Sequence, residues 1–436
     1  MAGRWVSVIA LAASLAGCWG ADPEEEISFD PSKMPAALPE VEPGQADWPW
    51  WRGPSRDNIS PAANVPTQWD EDTNILWKSK VPGRGHASPT IWGSRIFLAT
   101  ADESAKTQSV VCYEKDTGKS LWETEVHNGG VSKDGHHRKS SFASCTLACD
   151  GERVFASFLN DGSVWLTALS LDGKPDWSTE VGKFVPEWGY NPSPAIYKSF
   201  VIVAADHKKG GYIAAIHRKT GDILWRKNRP AESTYASPLI AKVAGEDQIL
   251  IAGASIVAGY NPENGEQLWE ASGTTTAVAS TMAAEGDLVV ASGGHPGSET
   301  LCLDLDGEPD VVWKNNQKSY VPSLLIHRGT LYQVHDNGRM SCLDLKSGEK
   351  LWQGRLSGGD ISASPVYADG HIFIINEAGN CFVVQATREK FRIASENQLG
   401  DESFATPAIV DGRIFLRAAD SSSGSRQEFL YCIANQ

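Results

Sequence analysis

The chain has 436 residues, with 54 Asp and Glu against 39 Lys and Arg and a formal charge of −15. An acidic balance of this size argues against a nucleic-acid partner, whose phosphates need a basic face. Its 41 Gly, 23 Pro and 16 Trp favour tight turns and aromatic-packed strands over long helices.

Residues 1–17 read as a lipoprotein signal peptide. Arg4 gives a positive start, Trp5 to Gly17 is a short uncharged and mostly apolar run, and Leu15-Ala16-Gly17-Cys18 has the form of a lipobox. The run is too short to span about 30 Å of hydrocarbon. Lipidation of Cys18 would anchor the protein, since each buried CH₂ contributes about 0.8 kcal/mol and more than one acyl chain holds stably. The expected location is the cell envelope: secreted across the inner membrane and held to an envelope membrane by its lipid. Residues 18–47 then form an acidic, Pro-rich tether. Between Asp22 and Asp47, Pro23, Pro31, Pro35, Pro39 and Pro43 alternate with carboxylates, and Lys33 is the single cation. Such a stretch could reach at most about 80 Å in a polyproline conformation.

A propeller domain is expected over residues 48–436. It opens on Trp48-Pro49-Trp50-Trp51-Arg52-Gly53-Pro54. These indoles either cap an apolar surface of the domain or form a docking patch. Beyond them, one hairpin recurs: CYEKDTGKSLW to Trp122, AIHRKTGDILW to Trp225, GYNPENGEQLW to Trp269, CLDLDGEPDVVW to Trp313 and CLDLKSGEKLW to Trp352, with a weaker copy ending at Trp177. Each is a strand, a tight turn with Gly where positive φ is needed, and a second strand closed by Trp. Trp77 closes a strand with no hairpin before it, and Phe391 closes a degenerate copy. Before most hairpins stands another strand pair opening on small-Ser-Pro, as in Ala87-Ser88-Pro89 and Ala363-Ser364-Pro365. Four strands per unit of roughly 40 to 45 residues is the arithmetic of a propeller blade. After Phe391 three strands remain, and the strand at Trp77 supplies the fourth. The sequence therefore predicts an all-β, eight-bladed propeller of four-stranded antiparallel blades, closed by pairing the N-terminal strand into the last blade.

Cys112, Cys302, Cys342 and Cys381 stand 10 or 11 residues before a closing aromatic, and Cys432 shares that phase. Equivalent sites in different blades lie beyond the roughly 7 Å a disulfide tolerates. Cys145 and Cys149, about 13 Å apart if extended, are not expected to bridge either. The prediction is free buried thiols.

The A/C-x-D-x-x-T/S-G-x-x-L-W pattern resembles the repeat of pyrroloquinoline-quinone (PQQ)-type propellers, shared by quinoprotein dehydrogenases and BamB-like assembly lipoproteins. The Trp48 to Pro54 segment also looks like the opening segment of BamB-like members. The resemblance covers residues 48–434 and implies the fold; it does not fix the function. Within it, Trp77, Trp122, Trp177, Trp225, Trp269, Trp313 and Trp352 resemble structural fasteners.

In such a ring the inter-blade loops and the turns between second and third strands emerge around the channel mouth. His86, His127, His136, His137, His207, His295 and His335 map there, with the long loops Glu123 to Ser141 and Thr179 to Tyr190, the latter holding Trp188. Long loops on one rim carry function. Aligned first strands predict a mouth ring of His86, Phe142, Asn191, Tyr235, Val278, Tyr320, Ser362 and Phe404. These residues could plug the channel, or stack a small planar ligand or glycan, or grip a peptide. No ligand spacing points to a metal. Asp161, Asp206 and Asp336 read as turn residues. Quinoprotein dehydrogenases carry adjacent cysteines over PQQ and acidic and amide ligands for calcium; no two cysteines here are adjacent, and those ligands have no match. No catalytic residue and no cofactor are expected.

The reading is a non-catalytic, lipid-anchored scaffold with an envelope or outer-membrane protein partner, BamB-like by analogy. Its alternatives are a PQQ-dependent oxidoreductase using calcium and a carbohydrate-binding module. Cys18→Ser is expected to move the protein from the membrane pellet to the soluble fraction; continued pelleting would refute the lipobox reading.

Overall fold

In the computed structural model, residues 23–436 are described; the signal peptide and Cys18 lie outside them. Eight four-stranded antiparallel sheets surround one axis. Seven are continuous in sequence, running from Thr90–Trp92 through Ser120–Asn128 in blade 1 to Val366–Ala368 through Ile393–Gln398 in blade 7. Blade 8 joins Ala408–Val410, Arg413–Asp420 and Gln427–Ile433 to Ile75–Val81, which takes the outermost place. The chain's first long strand thus closes the ring on its last three, as the sequence predicts.

The hairpin repeat acquires a physical meaning in the register. Trp122 pairs across the strands with Cys112, Trp225 with Ala215, Trp269 with Gly259, Trp352 with Cys342 and Trp77 with Cys432. A small residue opposite each indole leaves it room, and a register shift follows immediately in blades 1 to 6. Such a bulge turns the outer strand more sharply. The indole then lies on the next blade: Trp122 Nε1 donates to Leu171 O at 3.0 Å, and a Cβ on Gly173 would stand 2.6 Å from its ring. Trp313 repeats this on Leu345 O and Gly348. Glycine is required at both turns by this close approach as well as by positive φ. The degenerate seventh copy departs from the pattern, because Cys381 pairs with Asn397 and Phe391 lies just outside the outer strand. Cys112, Cys145, Cys149, Cys302, Cys342, Cys381 and Cys432 are buried and free.

Around the axis a second repeat joins the blades. Thr146 Oγ1 accepts the Ser88 amide, Ser193 Oγ the Thr146 amide and Ser237 Oγ the Ser193 amide, at 2.9 to 3.1 Å. Ser323, Ser364, Thr406 and Ser88 hydroxyls continue the series at 2.9 to 3.0 Å. These are the hydroxyls of the small-Ser-Pro motif and its variants.

The acidic segment does not hang free. Glu24 accepts the Lys183 amide and pairs with Arg226, Glu26 accepts the Asn228 amide, and Ile27 exchanges two 2.9 Å backbone bonds with Arg226. Phe29, Met34 and Val41 pack on the apolar cores of the blades. Leu38 N reaches Ser199 Oγ and Asp47 Oδ1 accepts the Gly93 amide. Composition alone suggested a solvated tether; scattered apolar side chains and paired carboxylates make it a strap instead.

Ser364→Ala strands the buried Ser323 amide and is expected to cost about 1–3 kcal/mol. A lowered urea midpoint at unchanged slope would register this; an unchanged midpoint would remove the hydroxyl ring from the account.

Candidate functional site

The channel is open at one end. Trp48 pairs with Ile91 through two 2.9 Å backbone bonds, and from there the chain crosses the far end of the axis. Arg52 is buried there and donates to Met282 O at 2.9 Å and Leu324 O at 2.8 Å. Burial lowers its pKa to about 10, leaving it charged at neutral pH. Trp48 and Trp50 are buried, and Trp51 turns into the channel, where its Nε1 donates to Thr281 Oγ1 at 2.9 Å. Two of the three indoles therefore cap an apolar surface, and the third forms a floor.

Above that floor lies a cavity of about 890 Å³. One wall is aromatic. Trp188 stacks on Tyr235 with ring centroids 5.8 Å apart, His295 meets Trp188 edge-on at 5.4 Å, and Tyr320 stands against Gly294. Near blade 8, His86 stacks on Phe404 at 4.3 Å. The other side is charged: Lys139, from the loop between blades 1 and 2, reaches Asp360 and Glu377 near blade 7 at 2.8 Å. This contact ties together loops that enter from well-separated blades. Glu377 also accepts the Ser362 hydroxyl at 2.7 Å. Asp336 accepts the Tyr320 and Val321 amides at 2.9 and 3.0 Å, while desolvation raises its pKa.

Of the predicted ring, His86, Asn191, Tyr235, Tyr320, Ser362 and Phe404 line the cavity. Phe142 and Val278 do not. Phe142 packs on His136 at 4.3 Å and against the core of blades 1 and 2. Val278 is fully buried, and its carbonyl accepts the Tyr235 amide at 2.7 Å. Among the mouth histidines, His86, His137, His295 and His335 line the cavity, whereas His127 packs on Phe158 and Trp165, and His207 on Phe184. Asp206 is more than a turn residue: it holds Arg229 through a buried bidentate ion pair. Asp161 keeps its turn role at φ 46°. Strand alignment missed Trp51, Lys139, Lys318 and Asn337, all of which line the cavity. The unusual length of the first loop was the signal for Lys139.

Chemically, the cavity offers flat aromatic faces, side-chain amides and hydroxyls. Its carboxylates are already engaged, by Lys139 and by backbone amides. Among the described residues, no three His, Cys, Asp or Glu side chains stand together as a metal ion would require. Burial raises the pKa of the seven thiols and keeps them as neutral SH groups.

A family model described as "Outer membrane protein assembly factor BamB" matches residues 63–128, 106–354 and 337–428. An outer membrane protein assembly factor BamB of Yersinia pestis is 23% identical over 385 residues, covering 83% of this chain and 90% of its own. One from Moranella endobia is 21% identical over 351 residues, covering 76% and 82%. Among solved structures, BamB from Moraxella catarrhalis superposes with a TM-score of 0.59 at 14% identity, over 82% of this chain and 99% of that one. A europium-containing methanol dehydrogenase superposes at 0.63 and 12% identity, over 90% and 99%. These structural likenesses carry the fold.

Burial lowers the pKa of His86, His127, His136, His207, His217, His327 and His335, the last to about 4 from 6.5. The unfolded chain then binds protons that the folded chain refuses. Stability is expected to be full above about pH 6.5 and to fall toward pH 4, with His335 contributing at most about 3 kcal/mol. Urea midpoints at pH 7.5 and 4.5 should differ less in His335→Gln; an equal loss in both proteins would refute the assignment.

Proposed function

The chain belongs to the family of the outer membrane protein assembly factor BamB, and from that premise we propose a lipid-anchored, non-catalytic scaffold that binds a protein partner in assembling outer-membrane proteins. The expected place is the cell envelope, with the domain in the periplasm. The observation that carries this reading is the mouth: a single-ended cavity ringed by loops from many blades of a closed, rigid ring. Apolar side chains stand on that rim. Val185 and Val321 are each 37% exposed, and Trp188 lies three residues beyond Val185. Exposed apolar and aromatic groups beside polar loops are what a protein interface uses.

The state of the polar groups supports binding over turnover. A calcium-bound quinone would need free carboxylate ligands, and the cavity carboxylates are engaged by Lys139 and by the Tyr320 and Val321 amides. The thiols are buried and apart.

Val185→Asp with Val321→Asp is expected to cut recovery of crosslinked envelope partners at least tenfold while leaving thermal stability within a degree. Undiminished recovery would move the interface off the mouth. A midpoint raised by PQQ with Ca²⁺, and no longer raised in Tyr235→Ala/Tyr320→Ala, would overturn the scaffold reading in favour of a dehydrogenase.

A further inference from the structure

The strap has a direction. Its described start lies at the channel-mouth face: Pro23 sits against Gly210, in the turn between the second and third strands of blade 3, where a Cβ would stand 3.0 Å from Pro23 Cα. Glu24 Oε1 accepts the Lys183 amide at 2.6 Å, at the mouth end of the outer strand of blade 2. From there the segment runs antiparallel to Ile223–Arg229, first beside Asn228 and then beside Arg226. Arg226 clasps it, donating from Nε and a terminal nitrogen to Glu25 O at 3.1 and 2.9 Å. It reaches the opposite face at Leu38, bonded to Ser199, and at Pro39, bonded to Arg218. Asp47 on Gly93 continues along that face, and the Trp48 to Asp57 stretch then closes the channel.

The chain therefore enters the fold at the mouth and leaves the strap at the closed face. Five residue steps separate Cys18 from Pro23, a reach of at most about 18 Å for extended chain. Had residues 18–47 been free, the same anchor would have allowed about 90 Å and any orientation.

Resting on the lipid-anchor reading above, we propose that the strap holds the channel mouth against the membrane carrying the anchor, with the mouth rim of blades 2 and 3 next to the bilayer. The Trp-floored face then points away from it. The opposite face stands further off by about the length of the seven-residue outer strand, about 23 Å. The cavity would thus receive chain presented at the membrane surface, and a partner confined to the aqueous space would meet the closed face first. The hydrogen bonds and ion pairs of Glu24, Glu25 and Glu26, the apolar contacts of Phe29 and Met34, and the Ile27 pairing make this clasp local and removable.

Energy transfer on the full-length, membrane-extracted protein, reconstituted into vesicles containing an acceptor-labelled lipid, tests it. Lys208→Cys, in the same mouth turn as Gly210, and Lys346→Cys, in a closed-face hairpin, each give one exposed thiol. The seven described native thiols are buried. Donor quenching at position 208 is expected to exceed that at 346 at least threefold. In a Glu24→Lys/Glu26→Lys/Ile27→Pro background, which reverses the charges facing Arg226 and Lys227 and removes the Ile27 N–H that bonds Arg226 O, the ratio is expected to fall toward one, with the propeller's melting point unchanged. Mass analysis of the Cys18 peptide on the same sample separates the failures. Lipid on Cys18 with equal quenching, or stronger quenching at 346, overturns the orientation alone. An unlipidated Cys18 overturns the anchor and the orientation together.

Discussion

A ring of eight wedges is most easily loosened at the axis, where the strands are shortest and apolar area is least, and it is there that neighbouring wedges must be gripped. In this chain the grip is a hydroxyl accepting the backbone amide of the preceding blade. It runs through Thr146, Ser193, Ser237, Ser323, Ser364, Thr406 and Ser88. The innermost strands are only two to five residues long, so few ladder bonds and little buried area are available there. A buried amide left unpaired would cost about 1–3 kcal/mol, and the hydroxyl removes that cost while setting the spacing between blades. The small-Ser-Pro motif combines the parts needed: a small residue for the crowded axis, a hydroxyl for the neighbour, and a Pro whose missing N–H needs no partner.

The outer circumference solves the converse problem. There the blades diverge, and bulk is required where the axis required economy. The indoles of the hairpin repeat fill the gap: those of Trp77, Trp122, Trp177, Trp225 and Trp313 lie on the turn of the next blade, whereas Trp269 Nε1 turns back to Gln248 Oε1 of its own blade, and the small residue opposite each indole keeps the strand pair from being forced apart. The two repeats act on different radii of the same wedge. The eighth junction at the axis shows how they are modified for the site: Thr281 Oγ1 there accepts Trp51 Nε1. The floor of the cavity is thus tied into the ring that supports it.

Fold and site were unequally legible. Trp spacing, Gly turns and small-Ser-Pro openings repeat because each wedge solves the same packing problem, so alignment within the chain reveals blade number, strand order and even the closing strand at Trp77. The cavity follows from what does not repeat. Phe142 and Val278 have the right phase for the mouth, but local packing on His136 and a backbone bond to Tyr235 turn them away. Lys139 enters from a loop whose length was visible but whose path was not, because its partners Asp360 and Glu377 lie more than two hundred residues on. The strap was concealed by its composition: Pro and Glu report solubility, while the few groups that dock it are spread too widely to form a period.

That strap changes what the propeller can do. A scaffold on a long free linker samples all orientations, and its encounters depend on linker length alone. Glu24, Glu26 and Arg226 fix this segment at the mouth end, so on the lipid-anchored reading proposed above it would set an orientation as well as a distance. The Trp48 to Asp57 stretch completes the asymmetry, because it seals one end of the channel with a buried Arg52 whose terminal nitrogens donate to carbonyls of blades 5 and 6. A propeller ring without such a crossing has two different ends, and its channel opens at both. The chain ahead of the first strand runs from Pro23 at the mouth to its crossing of the far end, and so leaves a single mouth uncovered.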